Sequence, residues 1–446
     1  MFFIKLVLLA LICIPTSVFI ESGVIQAAER FEPITVNINT SPWFKSFSKY
    51  VELYEEETGN KVELNVNPYL GSLEATRNSV RADEGFAHLV VVDNNWLTEF
   101  YSGGFLTPLN DIDPNFTLDS GVNKYDGSLF WDSRRGTFNE NSGALMAVPI
   151  NGNVNVLFYR EDLYKSHGLK VPKTWEELRE NAQKLHDPPN IYGYVIGDDR
   201  NLAAFNFFST MFAWGGSLFK DPRVGDFTIT FNSAINKEAL DFFVKLGRDF
   251  GPPNRGTTGQ SDMIQMLVTG KAAHINTVIA AWSQFDDPNK SIVVDKVNGA
   301  LIPKGPAPSG IHASRAGHWV GAIPKNVSNG KKVAAMGFLK WFIRAENQVK
   351  YTEFGSVPVR ADVVESPLTK QRPFRFLKAL AENSRVARMP FPVSIGSKIA
   401  SIANLHLNQA IIGKKTTTQA LNEAAHEIEA VVAEAGYSTG RLPDLN

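Results

Sequence analysis

The sequence predicts an α/β protein of more than one domain, and three observations support this prediction. Alternating apolar residues at 34–39 and 61–66 flank a helical stripe at 41–59, which together indicate a strand, a helix and a second strand. A continuous apolar run at 88–92 is typical of a strand that is covered on both faces. The same succession of strand and helix starts again after residue 150. The length of 446 residues is that of two or three domains.

The helix after the first strand has recognisable end signals. Ser41 is placed as its N-cap and Pro42 as its first residue, and Gly59 ends it. A further helix is predicted at 73–85, ahead of the buried strand. The first 150 residues are therefore predicted to form an α/β sheet domain.

The second α/β region begins with an unusual stretch at 144–164. Asn151, Asn153 and Asn155 stand directly ahead of the strand-forming side chains of residues 156–159. A turn accounts for one asparagine, whereas three indicate a backbone that crosses an aqueous cleft before it enters a core. Helices are then predicted at 171–187, 236–250, 261–273, 331–354 and 416–436, with a strand at 298–303.

The first 28 residues predict a secretory signal peptide, and hence a periplasmic protein. Lys5 is followed by an apolar run of about fifteen residues and then by small residues, with cleavage expected after Ala27 or Ala28. The alternative is a membrane anchor, but a spanning helix needs roughly 20 apolar residues and Pro15 interrupts this run. The only cysteine, Cys13, lies inside the segment, so the mature chain is predicted to have neither thiol nor disulfide.

Charge and motif content argue against several functions. Lys and Arg number 45 against 46 Asp and Glu, so the chain lacks the basic excess typical of nucleic-acid binding. The sequence contains no H-E-x-x-H, G-x-S-x-G, G-x-G-x-x-G or phosphate-binding glycine loop, and its eight histidines are not paired at metal-ligand spacing. Neither a metal nor a cofactor is therefore predicted. An exported glycoside hydrolase stays open as an alternative, because the two carboxylates it needs cannot be paired from sequence spacing.

Several segments resemble a known family when they are taken in order. They are "EETGNKVELNV", "HLVVVDNNWLTEFYSGGFLTPLND", "VPINGNVNVLFYREDLYKSHGLKVPKTWEELRENAQKL", "FAWGGSLF", "VTGKAAHINTVIAAW", "GHWVGAIPKN" with "AAMGFLKWF", and "GSVPVRADVV". The chain resembles the extracellular solute-binding proteins of the sugar-binding, maltose-binding-protein-like type, which deliver ligand to ATP-driven importers. The resemblance extends over nearly the whole mature chain.

This resemblance implies a periplasmic-binding-protein-like fold, with two α/β lobes, crossover strands and a ligand cleft between the lobes. Residues 29–150 and 300–335 are assigned to lobe I, and residues 151–299 and 336–446 to lobe II. The function implied is that of a monomer, not an enzyme, that captures a carbohydrate and hands it to the membrane permease subunits of the importer. The carbohydrate is a sugar, an oligosaccharide or a sugar alcohol.

The predicted site follows from the chemistry of a sugar, which has apolar C–H faces and a rim of hydroxyls. Aromatic rings suit the faces, and amide or carboxylate groups suit the hydroxyls. The alternatives are that Trp43 only packs the start of a helix, that Asp93 caps a helix, and that Arg360 forms a salt bridge. Trp96 is a further tryptophan beside asparagines at an expected element end, which suits stacking on a sugar, but it is not among the predicted ligand-binding residues. The predicted ligand-binding residues are Asn39, Ser41, Trp43, Glu74, Asp93, Asn94, Asn151, Asn153, Trp214, Gly215, Trp282, His318, Trp319 and Arg360.

Overall fold

The computed structural model describes residues 29–446, and the predicted signal peptide lies outside the described residues. The strands are β1 Ile34–Asn39, β2 Val62–Asn67, β3 Leu89–Asp93, β4 Phe130–Asp132, β5 Thr137–Phe138, β6 Ala144–Leu145, β7 Ala147–Asn151, β8 Asn155–Arg160, β9 Phe219–Asp221, β10 Asp226–Ile229, β11 His274–Val278, β12 Val297–Ala300, β13 Ser314–Arg315, β14 Trp319–Ala322 and β15 Ala387–Arg388.

Helices surround these strands. They are α1 Phe44–Thr58, α2 Tyr69–Arg81, α3 Leu97–Ser102, α4 Leu109–Ile112, α5 Glu161–Ser166, α6 Trp175–Leu185, α7 Ala203–Ala213, α8 Ala234–Phe250, α9 Gln260–Val268, α10 Trp282–Phe285, α11 Asn329–Phe342, α12 Ala345–Glu353, α13 Ala361–Val364, α14 Phe376–Ser384, α15 Gly396–Ile411 and α16 Thr417–Glu434. Within residues 29–446 none of them is long and apolar enough to cross a bilayer.

The first sheet has the strand order β2-β1-β3-β14-β7. Its strands β1, β2 and β3 run parallel, as the strand–helix–strand pattern predicts, and β3 is buried along its whole length. The strand β14 runs antiparallel to both β3 and β7. The late segment 319–322 is thus inserted into a sheet built mainly from the start of the chain.

Of three helix-end signals predicted from the sequence, two are confirmed and the third is wrong. Gly59 ends α1 in the left-handed conformation with φ of 69°, which favours glycine. Thr174 forms the predicted capping box at the start of α6, with Glu177 as its partner. Ser41 does not cap α1, because the helix starts at Phe44 and has no side-chain cap. The Ser41 carbonyl instead accepts a hydrogen bond from the Phe44 backbone N–H in a turn, at 3.1 Å.

The second sheet has β8 at its centre, paired antiparallel with β11 and with β12. Helix α9 packs on β11, and α14 packs on β8 and β12. The helices α7, α8, α15 and α16 pack against one another beyond this sheet. The apolar run that follows Asn155 is therefore the central strand of the second sheet, as the three-asparagine stretch predicts.

Two chain crossings lie side by side between the sheets. The segment 152–154 leads from β7 to β8, and the segment 316–318 leads from β13 to β14. They form a bridge between Val154 and Ala316, and the Gly317 N–H donates to the Asn153 carbonyl at 3.1 Å. The three asparagines thus stand at a crossing between the two sheets.

The segment after the predicted boundary at residue 300 keeps its contacts with the second half of the sequence. Residues 301–315 stay with the second sheet and its helices, because Lys304 N–H donates to the Lys173 carbonyl and Gly305 N–H to the Ala213 carbonyl, each at 3.0 Å. Ser314 N–H likewise donates to the Val386 carbonyl at 3.1 Å. The chain returns to the first sheet only at 316–318.

The predicted boundary at residue 336 falls inside α11. This helix packs on β1 and α4, and α12 packs on α1. The Trp341 ring lies 4.7 Å from that of Tyr50 and 5.1 Å from that of Tyr54, both on α1. Aromatic packing therefore ties α11 to the layer of the first sheet.

Candidate functional site

Polar and aromatic side chains collect at one edge of the first sheet. Parallel pairing brings the ends of β1 and β3 to the same edge, which places Asn39 and Asp93 there. The antiparallel strand β14 starts at this edge with Trp319, and its neighbour β7 ends there with Asn151. Ligand groups in α/β sheets commonly lie at such an edge.

Four aromatic residues form a cluster above this edge, which we call the aromatic cluster. The ring of Trp319 lies 5.9 Å from those of Trp43 and Tyr69, and 5.5 Å from that of Trp96. Tyr69 and Trp96 lie 4.7 Å apart. Three of the four rings are borne by residues that follow β1, β2 or β3, so the ends of the parallel strands determine their positions.

Asp93 lies beside the aromatic cluster and is buried. Its Oδ1 accepts hydrogen bonds from the backbone N–H of Asn95 at 2.8 Å and from the Asn95 side chain at 2.6 Å. Burial raises the pKa of Asp93 to about 6, although the Asn95 backbone N–H and the nearby Arg315 both oppose this rise. Burial and the charge of Asp93 also raise the pKa of the Tyr69 phenol.

Arg315 lies on β13, which pairs with β15 in a separate two-stranded sheet and contacts α7 and β8. Its guanidinium carbon lies 4.9 Å from the centre of the Phe205 ring, and its Nη1 donates to the Ala316 carbonyl at 3.1 Å. The Nε has no hydrogen-bond partner within the protein, and burial lowers the pKa of the side chain. Phe205 also faces Tyr69 across the lobes, with the ring centres 6.4 Å apart.

Buried polar atoms without a protein partner are frequent around this edge and the strands that face it. Buried polar groups are almost always hydrogen-bonded in folded proteins, so such a set indicates a ligand with many hydroxyls or amides. The atoms are Asn39 Oδ1, Ser41 Oγ, Asn94 Oδ1, Asn95 Oδ1, Asn151 Oδ1, Asn155 Oδ1, both side-chain atoms of Asn276, Arg315 Nε and His318 Nδ1.

A small cavity of about 10 Å³ lies on the second-lobe side of Arg315. Its walls combine amide, hydroxyl and apolar groups. The lining residues are Asn155, Leu202, Phe205, Asn206, Gln260, Met263, Thr277, Val278 and Arg315.

The structure brings several of the predicted residues together. Trp43, Asp93 and Trp319 lie in or beside the aromatic cluster. Asn39, Asn94 and Asn151 lie at the same sheet edge, and Ser41 follows β1 in the turn before α1. Asn153 lies on the first crossing, where its Oδ1 accepts from the Ala280 N–H at 3.1 Å, so it joins the crossing to the second lobe.

Trp214 and its neighbour do not lie with them. Trp214 caps α7 and is buried in the second lobe, with its ring 4.9 Å from Phe242 and 6.0 Å from Trp175. Gly215 has φ of 86°, and a Cβ there would lie 2.8 Å from the Ser309 carbonyl oxygen. The glycine is therefore required by a tight turn, and the tryptophan belongs to a hydrophobic core.

Trp282 and Glu74 are also outside the cluster. The Trp282 ring packs on Phe374 and Phe376, at 6.0 and 5.7 Å. Glu74 is exposed on α2 and binds Arg77 at 2.6 Å. Neither side chain contacts the aromatic rings at the sheet edge.

Arg360 and His318 contact other protein side chains and lie outside the aromatic cluster. Arg360 is buried and binds Asp119 at 2.7 Å and Asp362 at 2.6 Å, so the salt-bridge alternative applies to it. His318 stacks on Tyr125, with ring centres 4.3 Å apart and planes 10° apart, and bonds Ser128 Oγ at 2.9 Å. Burial lowers the pKa of His318 to about 3.

Tyr125 also lines a larger groove, of about 210 Å³, between Lys124, Glu365 and Arg385. Consecutive residues of an extended chain point to opposite sides. His318 and Trp319 do so here, since the first contacts Tyr125 and the second contacts the aromatic cluster. This groove is therefore on the other side of the chain from the cluster.

Sequence reasoning missed five contributors to the site: Tyr69, Trp96, Asn95, Phe205 and Arg315. A usable signal existed for Tyr69, Asn95 and Trp96, because each follows a predicted strand of a parallel sheet, as Trp43 does. Nothing in the local sequence marks Phe205 or Arg315, which reach the site only through the packing of α7 and β13. Among the described residues, no group of three or more His, Cys, Asp and Glu could hold a metal ion.

Two α/β lobes, two adjacent crossings and a polar and aromatic site between them define a two-lobed binding protein. The family model described as "Bacterial extracellular solute-binding protein" matches residues 37–349. The chain belongs to this family.

Curated relatives differ in the ligand that their names state. The chain is 29% identical over 245 residues to the mannitol-binding protein of Pseudomonas aeruginosa, covering 53% of this chain and 52% of that protein. It is 24% identical over 348 residues to the sn-glycerol-3-phosphate-binding periplasmic protein of Pectobacterium atrosepticum, covering 72% and 74%. The match thus spans about half the length of the mannitol-binding relative.

Solved structures share the fold over nearly their whole length. A maltose-bound MalE3 of T. maritima superposes with a TM-score of 0.78 at 23% identity, covering 90% of this chain and 99% of that one. A solute-binding protein of Agrobacterium radiobacter in complex with ribitol gives a TM-score of 0.77 at 23% identity, covering 90% and 98%. These likenesses show the two-lobed periplasmic-binding-protein fold.

Proposed function

We propose that this protein captures a neutral carbohydrate or sugar alcohol between its lobes and delivers it to the membrane subunits of an ATP-driven importer. The observation that carries the proposal is the aromatic cluster at the sheet edge, with Asp93 beside it and Arg315 facing it. The family and the named relatives support the same role.

The chemistry of the site fits a polyol. Indole and phenol rings cover the C–H faces of a sugar, and each buries on the order of 150–250 Å². A carboxylate accepts hydrogen bonds from two hydroxyls, and a guanidinium donates to two oxygens. Asp93 and Arg315 would therefore hold opposite edges of one ligand. A micromolar dissociation constant requires about −8 kcal/mol, which stacking and a few charge-assisted hydrogen bonds can supply.

A phosphorylated polyol is a second candidate, favoured by the unpartnered Nε of Arg315 and by the glycerol-phosphate-binding relative. The buried carboxylate of Asp93 argues against a phosphorylated ligand, because it lies close enough to Arg315 to interact with the guanidinium charge. The negative charge of Asp93 offsets the positive charge of Arg315, so a phosphate would meet no net positive charge. A neutral ligand needs none. We therefore favour the neutral ligand.

Binding without turnover is part of the proposal. A glycoside hydrolase needs two carboxyl groups on either side of the bond that is cleaved. Asp93 lies beside the aromatic cluster, and neither the four cluster residues nor the cavity lining named above includes a second carboxylate. This composition supports capture rather than hydrolysis.

The lobes are proposed to be discontinuous. Residues 29–151 with 317–360 would form the first lobe, because α11 and α12 pack on it. Residues 155–315 with 376–446 would form the second, because α14, α15 and α16 pack there. We further propose that the protein acts outside the cytoplasm as a monomer after removal of residues 1–28, which is the location typical of this family.

A thermal-shift panel tests the proposal directly, with D-mannitol, ribitol, maltose and sn-glycerol 3-phosphate as probes. A ligand at 100 times its dissociation constant adds roughly 2.7 kcal/mol to the free energy of unfolding, so binders separate clearly. We expect a neutral probe to raise Tm and to be recovered unchanged by chromatography. A shift only with the phosphate would favour the second candidate, and cleaved maltose would favour the hydrolase.

A further inference from the structure

The ring of Phe205 covers one side of the Arg315 guanidinium. The guanidinium carbon lies over this ring at 4.9 Å from its centre, which is within the range of a cation–π contact. Arg315 is buried, and a desolvated cation is attracted to an aromatic ring more strongly than an exposed one. The contact therefore restrains the orientation of the guanidinium plane.

Other contacts restrain the remaining sides of the guanidinium. Its Nη1 donates to the Ala316 carbonyl at 3.1 Å, and a Cβ built on Gly317 would lie 3.3 Å from Nη2. The cavity beside Arg315 measures about 10 Å³, which is about the space that one water molecule needs. A guanidinium is larger than this, so the side chain has no second position on that side.

One edge of the Arg315 guanidinium carries two donors that no described residue uses. The side chain makes one hydrogen bond within residues 29–446, through Nη1, and this bond leaves Nε–H and Nη2–H without a protein acceptor. These two N–H groups are parallel on one edge of the planar fork, and such an edge binds two oxygens at once. Arg315 is also close enough to Asp93 for their charges to interact, which places it near the residues of the sheet edge.

The backbone that carries Phe205 is fixed on both sides. The Ala204 N–H donates to Asn404 Oδ1 of α15 at 2.7 Å. Asn206 donates from Nδ2 to the Asn276 carbonyl of β11 at 2.6 Å. Phe205 lies between these two anchored residues of α7, so the packing of this helix determines where its ring meets the guanidinium.

We propose, on the basis of the proposed function, that Phe205 is a positioning residue for Arg315. It holds the guanidinium so that the edge with Nε and Nη2 donates to two adjacent hydroxyl oxygens of the bound polyol. A ring that stacked on the ligand would contribute to affinity whether or not Arg315 is present. A positioning ring contributes only through Arg315, and this difference can be measured.

A double-mutant cycle tests the proposal by calorimetry, with the tightest binder among D-mannitol, ribitol and D-glucose as the probe. Phe205→Leu should weaken binding by about tenfold in the parent, because the desolvated cation–π contact is lost. In the Arg315→Gln background the same change should alter affinity by no more than about twofold, because the two residues act as a unit. Equal losses in both backgrounds would overturn the positioning role, and so would an unchanged affinity of Phe205→Leu or of Arg315→Gln.

Phe207→Leu is the matched control on the same helix, because the Phe207 ring packs on Phe243 at 5.6 Å in the core of the second lobe. It should lower Tm and leave affinity within about a factor of two of the parent, and a loss as large as that of Phe205→Leu would overturn the proposal. Phe205→Met repeats the cycle with a flexible side chain, so the test does not depend on the folding of one variant. A parent that binds none of the three probes would overturn the proposed function as well, whereas binding with additive losses overturns the positioning role alone.

Discussion

Trp319 is the strand partner of Asp93, since β14 and β3 pair with these two residues in register. The pairing holds an indole and a buried carboxylate side by side at one sheet edge, although 226 positions separate them in the chain. Asn151 pairs with the other side of Trp319. An apolar surface and two kinds of hydrogen-bonding group are thus held in place by the sheet before any ligand arrives.

The first prediction compares two tryptophans. Trp319→Phe should weaken the binding of the best sugar probe by about tenfold, which corresponds to about 1.4 kcal/mol, because the ring that faces the ligand becomes smaller. Trp214→Phe should leave affinity within a factor of two, because this ring packs on Trp175 and Phe242. Calorimetry on both purified variants provides the measurement.

Urea denaturation separates site effects from core effects in this pair. Trp214→Phe should lower the free energy of unfolding by about 0.5–3 kcal/mol, as core truncations do. If Trp214→Phe lost affinity while Trp319→Phe kept it, the site would lie in the second lobe and the assignment made here would be wrong.

The second prediction concerns Asp93 and pH. Its pKa in the folded protein, about 6, lies above the ordinary value of 3.8, so the folded state binds more protons than the unfolded state between these values. The stabilising effect of the protonated form is present below about pH 4 and is lost as the pH rises through 6. Asp93→Asn should therefore stabilise the ligand-free protein at pH 7.5, by up to about 3 kcal/mol.

The same variant should lose ligand affinity, because the amide accepts fewer hydrogen bonds than the ionised carboxylate. Denaturation at pH 4.5 and 7.5 checks the first part, since the difference between variant and parent should grow with pH. A difference that is independent of pH would contradict the role of the buried charge. Affinity of the parent for a neutral probe is expected to fall below pH 6.

The third prediction compares two buried arginines. Arg315→Gln should lower affinity by about 10- to 100-fold, since a hydrogen bond to a charged group contributes about 1.5–3 kcal/mol. It should cost little stability, because Arg315 has no bonded carboxylate partner. Calorimetry and thermal melting of the purified variant give the two quantities.

Arg360→Gln serves as the matched control. Arg360 binds Asp119, Asp362 and the Ile343 carbonyl, so its loss should lower Tm and leave affinity within a factor of two. If Arg360→Gln lost affinity while Arg315→Gln kept it, the result would support the ligand-binding role of Arg360 that the sequence predicts.

The fourth prediction is that the exported protein begins near residue 28. The charged start, the apolar run and the small residues up to Ala28 are the parts of a signal peptide. Intact-mass spectrometry of protein from a periplasmic extract provides the check. A mass that still includes residues 1–20 would favour the membrane-anchor alternative.

The sequence by itself determined where several strands and helices lie, and it predicts export from the cytoplasm. Strand alternation at 34–39 and 61–66, the apolar run at 88–92 and the capping box at Thr174 depend only on neighbours along the chain, and each is found where it was expected. Resemblance to the solute-binding proteins then predicted the two-lobed fold correctly. Local pattern carries this information because backbone propensity, capping and side-chain periodicity act over a few residues.

The tertiary structure alone decided which of those residues face the cleft. Trp214 and Trp319 both stand within two residues of a glycine in matched segments, yet one packs inside the second lobe and the other at the edge of the first sheet. The contacts of residues 301–315 and of α11 were decided in the same way, since the first segment contacts the helices around the second sheet and α11 packs on β1 and α4. Arg315 gains its role from Phe205 and Asp93, which are more than one hundred residues away. Contacts between such distant segments depend on how the strands are ordered in the sheets, and no local pattern specifies that order.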